Sequence, residues 1–227
     1  LSQAERDMLR CVTAHFEKVI VLLNMGNIID MKWVSEFDPA AVLYVWQGGQ
    51  EGGNSVADVI VGNVSPSGKL TDTIACNITD YPSHPYFGDR NKNCYTEDIY
   101  VGYRYFETIP GAAEKVNYPF GFGLSYTKFE QSVQSIEQKN GQFTARVSVR
   151  NVGDRAGKEV VQVYVSAPQG KLGKAKRSLV AFQKTLLLAP GCSQELSLSW
   201  DFAVMASYDD LGKVAKAAYI LEAGVYT

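Results

Sequence analysis

A chain of 227 residues with 46% hydrophobic and 20% charged side chains holds enough apolar material for real cores and too little charge to remain disordered. It exceeds the roughly 100–150 residues of a usual single domain, so two compact units are expected. The formal net charge of −2 divides into −6 over residues 1–125 (9 basic, 15 acidic) and +4 over residues 126–227 (13 basic, 9 acidic), a surplus too thin for a nucleic-acid-binding stripe, and no run of about 18 apolar residues exists to span a membrane as a helix.

The first element is a helix. Met8, Leu9, Val12 and Phe16 recur at helical spacing from Ser2 onward, and Ser2 followed three residues later by Glu5 matches a capping box. VIVLLN, residues 19–24, is apolar on both faces and reads as a buried parallel strand. A short helix near Met31–Phe37 leads to a second such strand, AVLYVW, residues 41–46. The glycine-rich turn Gly48–Gly53 then opens a helix whose inward face is Val56, Val59 and Ile60, and Pro66-Ser67-Gly68 closes the unit with a tight turn. This order is α/β architecture with right-handed crossovers. Two strands are too few for a complete sheet, so further strands are expected before Leu1. Residues Asp72–Asp98 read as a long polar connector.

After Tyr126 the period changes to two. Phe143, Ala145, Val147 and Val149 alternate with polar neighbours, as do Val161, Val163 and Val165, and Leu196, Leu198 and Trp200. Turn signals at Asn140-Gly141, Asn151–Asp154 and Pro190-Gly191 separate strands at a spacing that fits a β-sandwich. Lys171, Lys174, Lys176 and Arg177 cluster between apolar runs and read as a solvated loop.

Motifs for metal or nucleophilic chemistry are weak. Cys11, Cys76, Cys94 and Cys192 form no CxxC pair and have no zinc-type spacing with His15 or His84. Such sparse usage fits reduced thiols, and hence the cytoplasm rather than a secreted setting, although Cys76 and Cys94 remain a pair that an oxidising compartment would allow. The N-terminal LSQAERDML has neither a signal pattern nor an initiator Met. Gly48–Gly53 is not a P-loop, since no GK[ST] follows, and Gly121–Ser125 lacks the G-x-S-x-G order of a nucleophile turn.

The segment YTEDIYVGYRYFETIPGAAEKVNYPFGFGLSYTKF, Tyr95–Phe129, concentrates ten aromatic rings around Pro119, Gly102, Gly121 and Gly123. Its composition suits a belt of rings between two domains better than a sugar-stacking platform. With VWQGGQEGGNSVADVIVGNVSPSGKL (45–70) upstream, and VRNVGDRAGKEVVQVYVSAP (149–168) and LVAFQKTLLLAPGCSQELSLSW (179–200) downstream, the chain resembles the C-terminal half of a family 3 glycoside hydrolase of the β-glucosidase type.

The resemblance implies the end of an α/β sandwich domain over residues 1–80, an aromatic connector and interdomain belt over 81–125, and a fibronectin type III-like, immunoglobulin-like β-sandwich over 126–227. It implies part of a retaining exo-β-glycosidase that removes terminal non-reducing β-D-glucosyl residues. β-Xylosidase or a related family 3 exo-glycosidase is the alternative within the class, and a non-catalytic carbohydrate-binding or structural module the alternative outside it. In this family the Asp nucleophile lies on a (β/α)8 barrel and the Glu acid/base on a loop preceding the helix that opens here, so neither is expected within these 227 residues, and the chain alone is expected to be inactive. Trp46, Gln50 and Glu51 are the residues expected to border the sugar. Glu97 is expected to be structural, paired with Arg104. No metal or organic cofactor is expected, because a carboxylate pair needs none. The expected partners are a β-glucoside or oligosaccharide, a barrel in cis or on another chain, and a further copy in a homo-oligomer, with no nucleic acid and no membrane.

Overall fold

The computed structural model describes residues 1–227. Helix α1, Gln3–His15, starts at the capping box: Glu5 N donates to Ser2 Oγ at 3.3 Å and Ser2 N to Glu5 Oε2 at 2.7 Å, which satisfies two of the otherwise orphaned amides. Strand β1, Ile20–Leu23, is followed by α2, Trp33–Phe37, and by β2, Ala41–Tyr44. The two strands pair in parallel, Ile20 beside Ala41 through Leu23 beside Tyr44, as a helical crossover requires. Helix α3, Gly52–Ile60, follows the glycine-rich turn.

One face of this two-stranded sheet builds the first core. Leu9, Leu23, Met31, Trp33 and Ile74 are buried there, with Val21, Val42 and Tyr44 packed against them. The other face stays open: Ile20 is 48% and Leu22 43% exposed. Burial of the strands on both faces, expected from their apolar sequence, is therefore not seen, because alternate side chains point to opposite faces and nothing within this chain covers the second one. Ile60, assigned to the inward face of α3, is likewise 41% exposed.

The connector is partly folded rather than a free loop. Strand β3, Ile74–Ala75, pairs antiparallel with β4, Val116–Tyr118. Between them the Tyr81 hydroxyl accepts from Ala75 N and donates to Thr73 O, both at 2.9 Å. Helix α4, Tyr103–Thr108, buries Phe106 edge-on against Tyr81 at 5.6 Å. The tip stands clear, with Phe87 90% and Tyr95 92% exposed, so Tyr95 lies outside the cluster of rings it adjoins in sequence.

The sandwich packs a three-stranded antiparallel sheet against a two-stranded one. Its strands are β5 (Phe129–Lys139), β6 (Gln142–Asn151), β7 (Val160–Val165), β8 (Ser178–Lys184) and β9 (Ser193–Asp201), in the orders β5-β6-β9 and β7-β8. The period-two residues form the core: Ala145, Val147, Val149, Val161, Val165, Leu196, Leu198 and Trp200 are all buried. At the β5–β6 turn both Asn140 (φ 52°) and Gly141 (φ 81°) are left-handed, the backbone a two-residue hairpin needs to match strand twist. Strands β10 (Ser207–Asp209) and β11 (Ala218–Ile220) add a small hairpin, and Thr227 exchanges two backbone hydrogen bonds with Ser166.

Two buried polar groups organise the sandwich loops. Asn151, fully buried, accepts from Thr127 Oγ1 at 2.7 Å and Gly153 N at 3.1 Å, and donates to Arg155 O at 2.7 Å and Leu188 O at 2.8 Å. Lys174, 5% exposed, forms an ion pair with Glu222 and donates to Pro168 O at 2.9 Å. The basic cluster at 171–177 is thus not simply solvated. Lys174 turns inward to tie this loop to the C-terminal segment, and Arg177 grips Glu107 with two of its nitrogens.

The two units meet through named contacts. Tyr103 packs on Phe120 at 4.7 Å and edge-on to Tyr164 of β7 at 5.9 Å, while its hydroxyl accepts from Leu179 N of β8 at 2.8 Å. Tyr126 Oη donates to Val59 O at 2.9 Å, near the end of α3, and Lys69 pairs with Glu159 at 3.0 Å. Gly123 sits where a Cβ would fall 2.2 Å from Gly68 O, so only glycine permits this close backbone approach.

Candidate functional site

In open α/β layers ligands lie beyond the carboxyl ends of parallel strands. Two loops occupy that edge here, residues 24–32 after β1 and 45–51 after β2, and they pack on each other. Tyr44 donates its hydroxyl proton to Asn27 O. A Cβ on Gly26 would come within 2.9 Å of Gln47 Nε2, so the two loops are in near contact.

Trp46 follows β2 with a left-handed backbone (φ 54°), unusual for a bulky residue. Two residues beyond Tyr44, it emerges on the same face, and the rings meet at 4.4 Å with a 39° tilt. Trp46 is half-buried and lines an apolar hollow of about 480 Å³ together with Ile20, Leu43, Ile60 and Tyr126. Gln50 is exposed on the glycine-rich turn. Glu51 is exposed at the start of α3; its carbonyl accepts from Ser55 N at 2.9 Å and its carboxylate from Asn54 Nδ2 at 2.5 Å. All three expected residues therefore lie on one short loop, offering a ring face, an amide and a carboxylate.

Sequence reasoning missed Tyr44 as the packing partner of Trp46. Burial, and then the charge of Asp72, push the Tyr44 hydroxyl above its usual range, which keeps it a neutral donor to the neighbouring loop. The available signal was the Tyr-x-Trp spacing, which puts two rings on one face of a strand. The expected Glu97–Arg104 pair does not form: the chain turns through left-handed residues at Asp98 (φ 49°) and Gly102 (φ 58°) between them. The ion pair on this segment is Glu107–Arg177 instead.

Residues 1–103 match the model of the glycosyl hydrolase family 3 C-terminal domain and residues 159–227 that of a fibronectin type III-like domain. Across its whole length the chain is 50% identical to a β-glucosidase A from Butyrivibrio fibrisolvens and 51% identical to a β-glucosidase from Ruminococcus albus. The chain belongs to the family 3 glycosyl hydrolases, matching their C-terminal part. It spans 29% and 24% of the length of those two relatives. Among solved structures, a β-glucosidase from Paenibacillus barengoltzii is 51% identical with a TM-score of 0.95, covering all of this chain and 25% of that one. A β-glucosidase from Thermotoga neapolitana, solved in complex with glucose, is 40% identical with a TM-score of 0.88, covering all of this chain and 31% of that one.

For this family 3 chain the two matched regions leave residues 104–158 between them. Strands β5 and β6 fall in that interval, yet β6 pairs with β9 along nine positions, from Gln142 beside Asp201 to Arg150 beside Ser193. The sandwich sheet thus extends upstream of the fibronectin type III-like match.

Proposed function

We propose that this chain serves a retaining exo-β-glycosidase, a β-glucosidase acting on terminal non-reducing β-D-glucosyl residues. The observation that carries this reading is the 50–51% identity, spanning the whole chain, to proteins named β-glucosidase. Residues 1–80 end an α/β layer, 81–125 form the connecting belt, and 126–227 brace it as a sandwich. The partner is a (β/α)8 barrel, in cis or on another chain.

Retaining cleavage needs a nucleophilic carboxylate and a second one that first donates and then recovers a proton, about 5–5.5 Å apart. In this reading both lie outside these 227 residues. Glu51 bonds Asn54 and Glu107 bonds Arg177, the settings of structural groups. The chain's share of the chemistry is positional. The loop 45–51 forms one wall of the glucose pocket, with the Trp46 ring against a sugar face and Gln50 and Glu51 within reach of hydroxyls, so that binding energy holds the anomeric carbon in line with the nucleophile.

The test is hydrolysis of p-nitrophenyl β-D-glucoside by the full-length protein, with the product anomer followed by NMR. Retention is expected, with kcat/KM lowered about tenfold in Trp46→Ala, the equivalent of about 1.4 kcal/mol. Preference for the β-xyloside would move the reading to a β-xylosidase, and absence of hydrolysis would overturn it.

A further inference from the structure

A second cavity, of about 500 Å³, lies between the 98–104 turn, the 167–180 segment and residues 204–213. Its floor is apolar and belongs to the sandwich: Val165, Leu172 and Ala175 are buried there, and Leu179 and Met205 half-buried. Its rim carries Asp98, Arg104, Asp210 and Lys213, together with Tyr100 and the Tyr208 ring, which is 52% exposed. None of the four charged rim residues takes part in any of the chain's seven ion pairs.

The state of Arg104 distinguishes this rim from ordinary solvated surface. Its side chain is only partly exposed, yet its guanidinium faces no carboxylate in ion-pair range and lies 6.0 Å from the Tyr103 ring centre. Five N–H groups in a planar fork are thereby left for something in the cavity. The other two charged groups lining the cavity are already committed. Lys174 is spent on Glu222, and Asp209 accepts from the backbone N–H groups of Gly212, Lys213, Val214 and Ala215.

The free rim therefore holds two cations and two anions, an even balance that selects against a charged ligand. It combines donors, acceptors and an aromatic face over an apolar floor, at a volume typical of small-molecule sites. A pyranose presents this chemistry in reverse: vicinal hydroxyls that accept from a guanidinium and donate to a carboxylate, and a C–H face that packs on a ring. We propose that this cavity binds a neutral saccharide through Arg104, Asp98 and Tyr208. The assignment rests on the cavity's own groups and does not depend on which glycoside the protein cleaves.

The test uses the full-length protein and a non-hydrolysable thio-linked disaccharide, thiocellobiose, in crystal soaks and in calorimetric titration. Expected are sugar density bonded to Arg104 and stacked on Tyr208, and a binding event weakened about tenfold or more in both Arg104→Ala and Tyr208→Ala. Tyr208, half in solvent, keeps the test decisive if Arg104→Ala fails to fold. The proposal is overturned by a cavity filled by another segment of the full-length chain, by density with no binding event that either variant alters (binding at crystal concentration only), or by tighter binding of glucose 6-phosphate than of the neutral sugar. The last outcome would mean that Arg104 serves an anion. Loss of p-nitrophenyl glucoside hydrolysis in the unaltered protein would count against the proposed function and leave this site standing.

Discussion

At the scale of single residues, the sandwich depends on a side chain that looks unremarkable in sequence. Asn151 closes four hydrogen bonds while fully buried, linking the start of β5, its own turn and the segment before β9. Asn151→Ala leaves Thr127 Oγ1, Gly153 N and Arg155 O without their partner, while Leu188 O keeps its bond from Gly157 N at 3.1 Å, so a loss of about 2–4 kcal/mol is expected in urea unfolding, from about 1–3 kcal/mol for each buried orphan that water cannot reach. A loss below about 1 kcal/mol would mean that the turn opens readily to solvent. Trp33 and Trp200 show the contrary economy: both are buried with an Nε1–H that has no partner, and shape alone holds them.

Among elements, what was legible in the sequence is what short-range rules decide. The Ser2 capping box, the Asn140-Gly141 hairpin and the period-two strands each depend on neighbours a few residues away, and each has the expected form in the structure. Trp46, Gln50 and Glu51 fall together because one short loop carries them at the sheet edge, but the ring contact with Tyr44 and the second loop packed on theirs are not legible. Nor are the inward turn of Lys174 and the outward stance of Tyr95. The partner of Lys174 lies 48 residues away, and a lysine surrounded by lysines gives no local sign that it will be buried. That ion pair has a measurable acid signature. The Lys174 ammonium, and then the Lys171 N–H, hold the Glu222 carboxyl below its usual range against the opposing effect of desolvation. At Asp209 desolvation acts upward, and four backbone N–H bonds together outweigh it. A depressed value in the folded state means stabilisation that is complete above the ordinary carboxylate range, near pH 4, and is lost as pH falls through the depressed values. The thermal midpoint should therefore fall steeply below about pH 4, and Glu222→Gln should flatten that limb while lowering the midpoint at pH 7. An unchanged acid limb in Glu222→Gln would assign it to other carboxylates.

For the whole molecule, the question is how a sandwich far along the chain bears on the loop at 45–51. The link runs through α3, which starts directly after that loop and has Val59 O bonded to Tyr126 Oη near its other end. Tyr126 N in turn donates to Ser65 Oγ at 3.0 Å, and Ser65 meets Ser125 at 2.9 Å. The Arg177–Glu107 pair is half exposed and contributes roughly 1 kcal/mol or less. The orientation of the α/β layer against the sandwich therefore rests on the polar contacts of residues 125–126, on the mostly buried Lys69–Glu159 pair and on the buried rings. Tyr126→Ala should release the end of α3 and with it the start, where Gly52 N bonds only Gly49 O at 3.0 Å within the turn. Hydrogen exchange should quicken about tenfold or more over residues 46–60, a local opening easier by about 1.4 kcal/mol, while β6 and β9 keep their protection. If loop 45–51 is the pocket wall proposed above, the same variant in the full-length protein should lower kcat for β-glucoside more than it raises KM, because displacement of a positioning wall acts on the geometry of the reacting bond. Exchange that stays unchanged at 46–60 would show that the loop is held by the α/β layer alone, and the sandwich would then have no part in shaping the pocket.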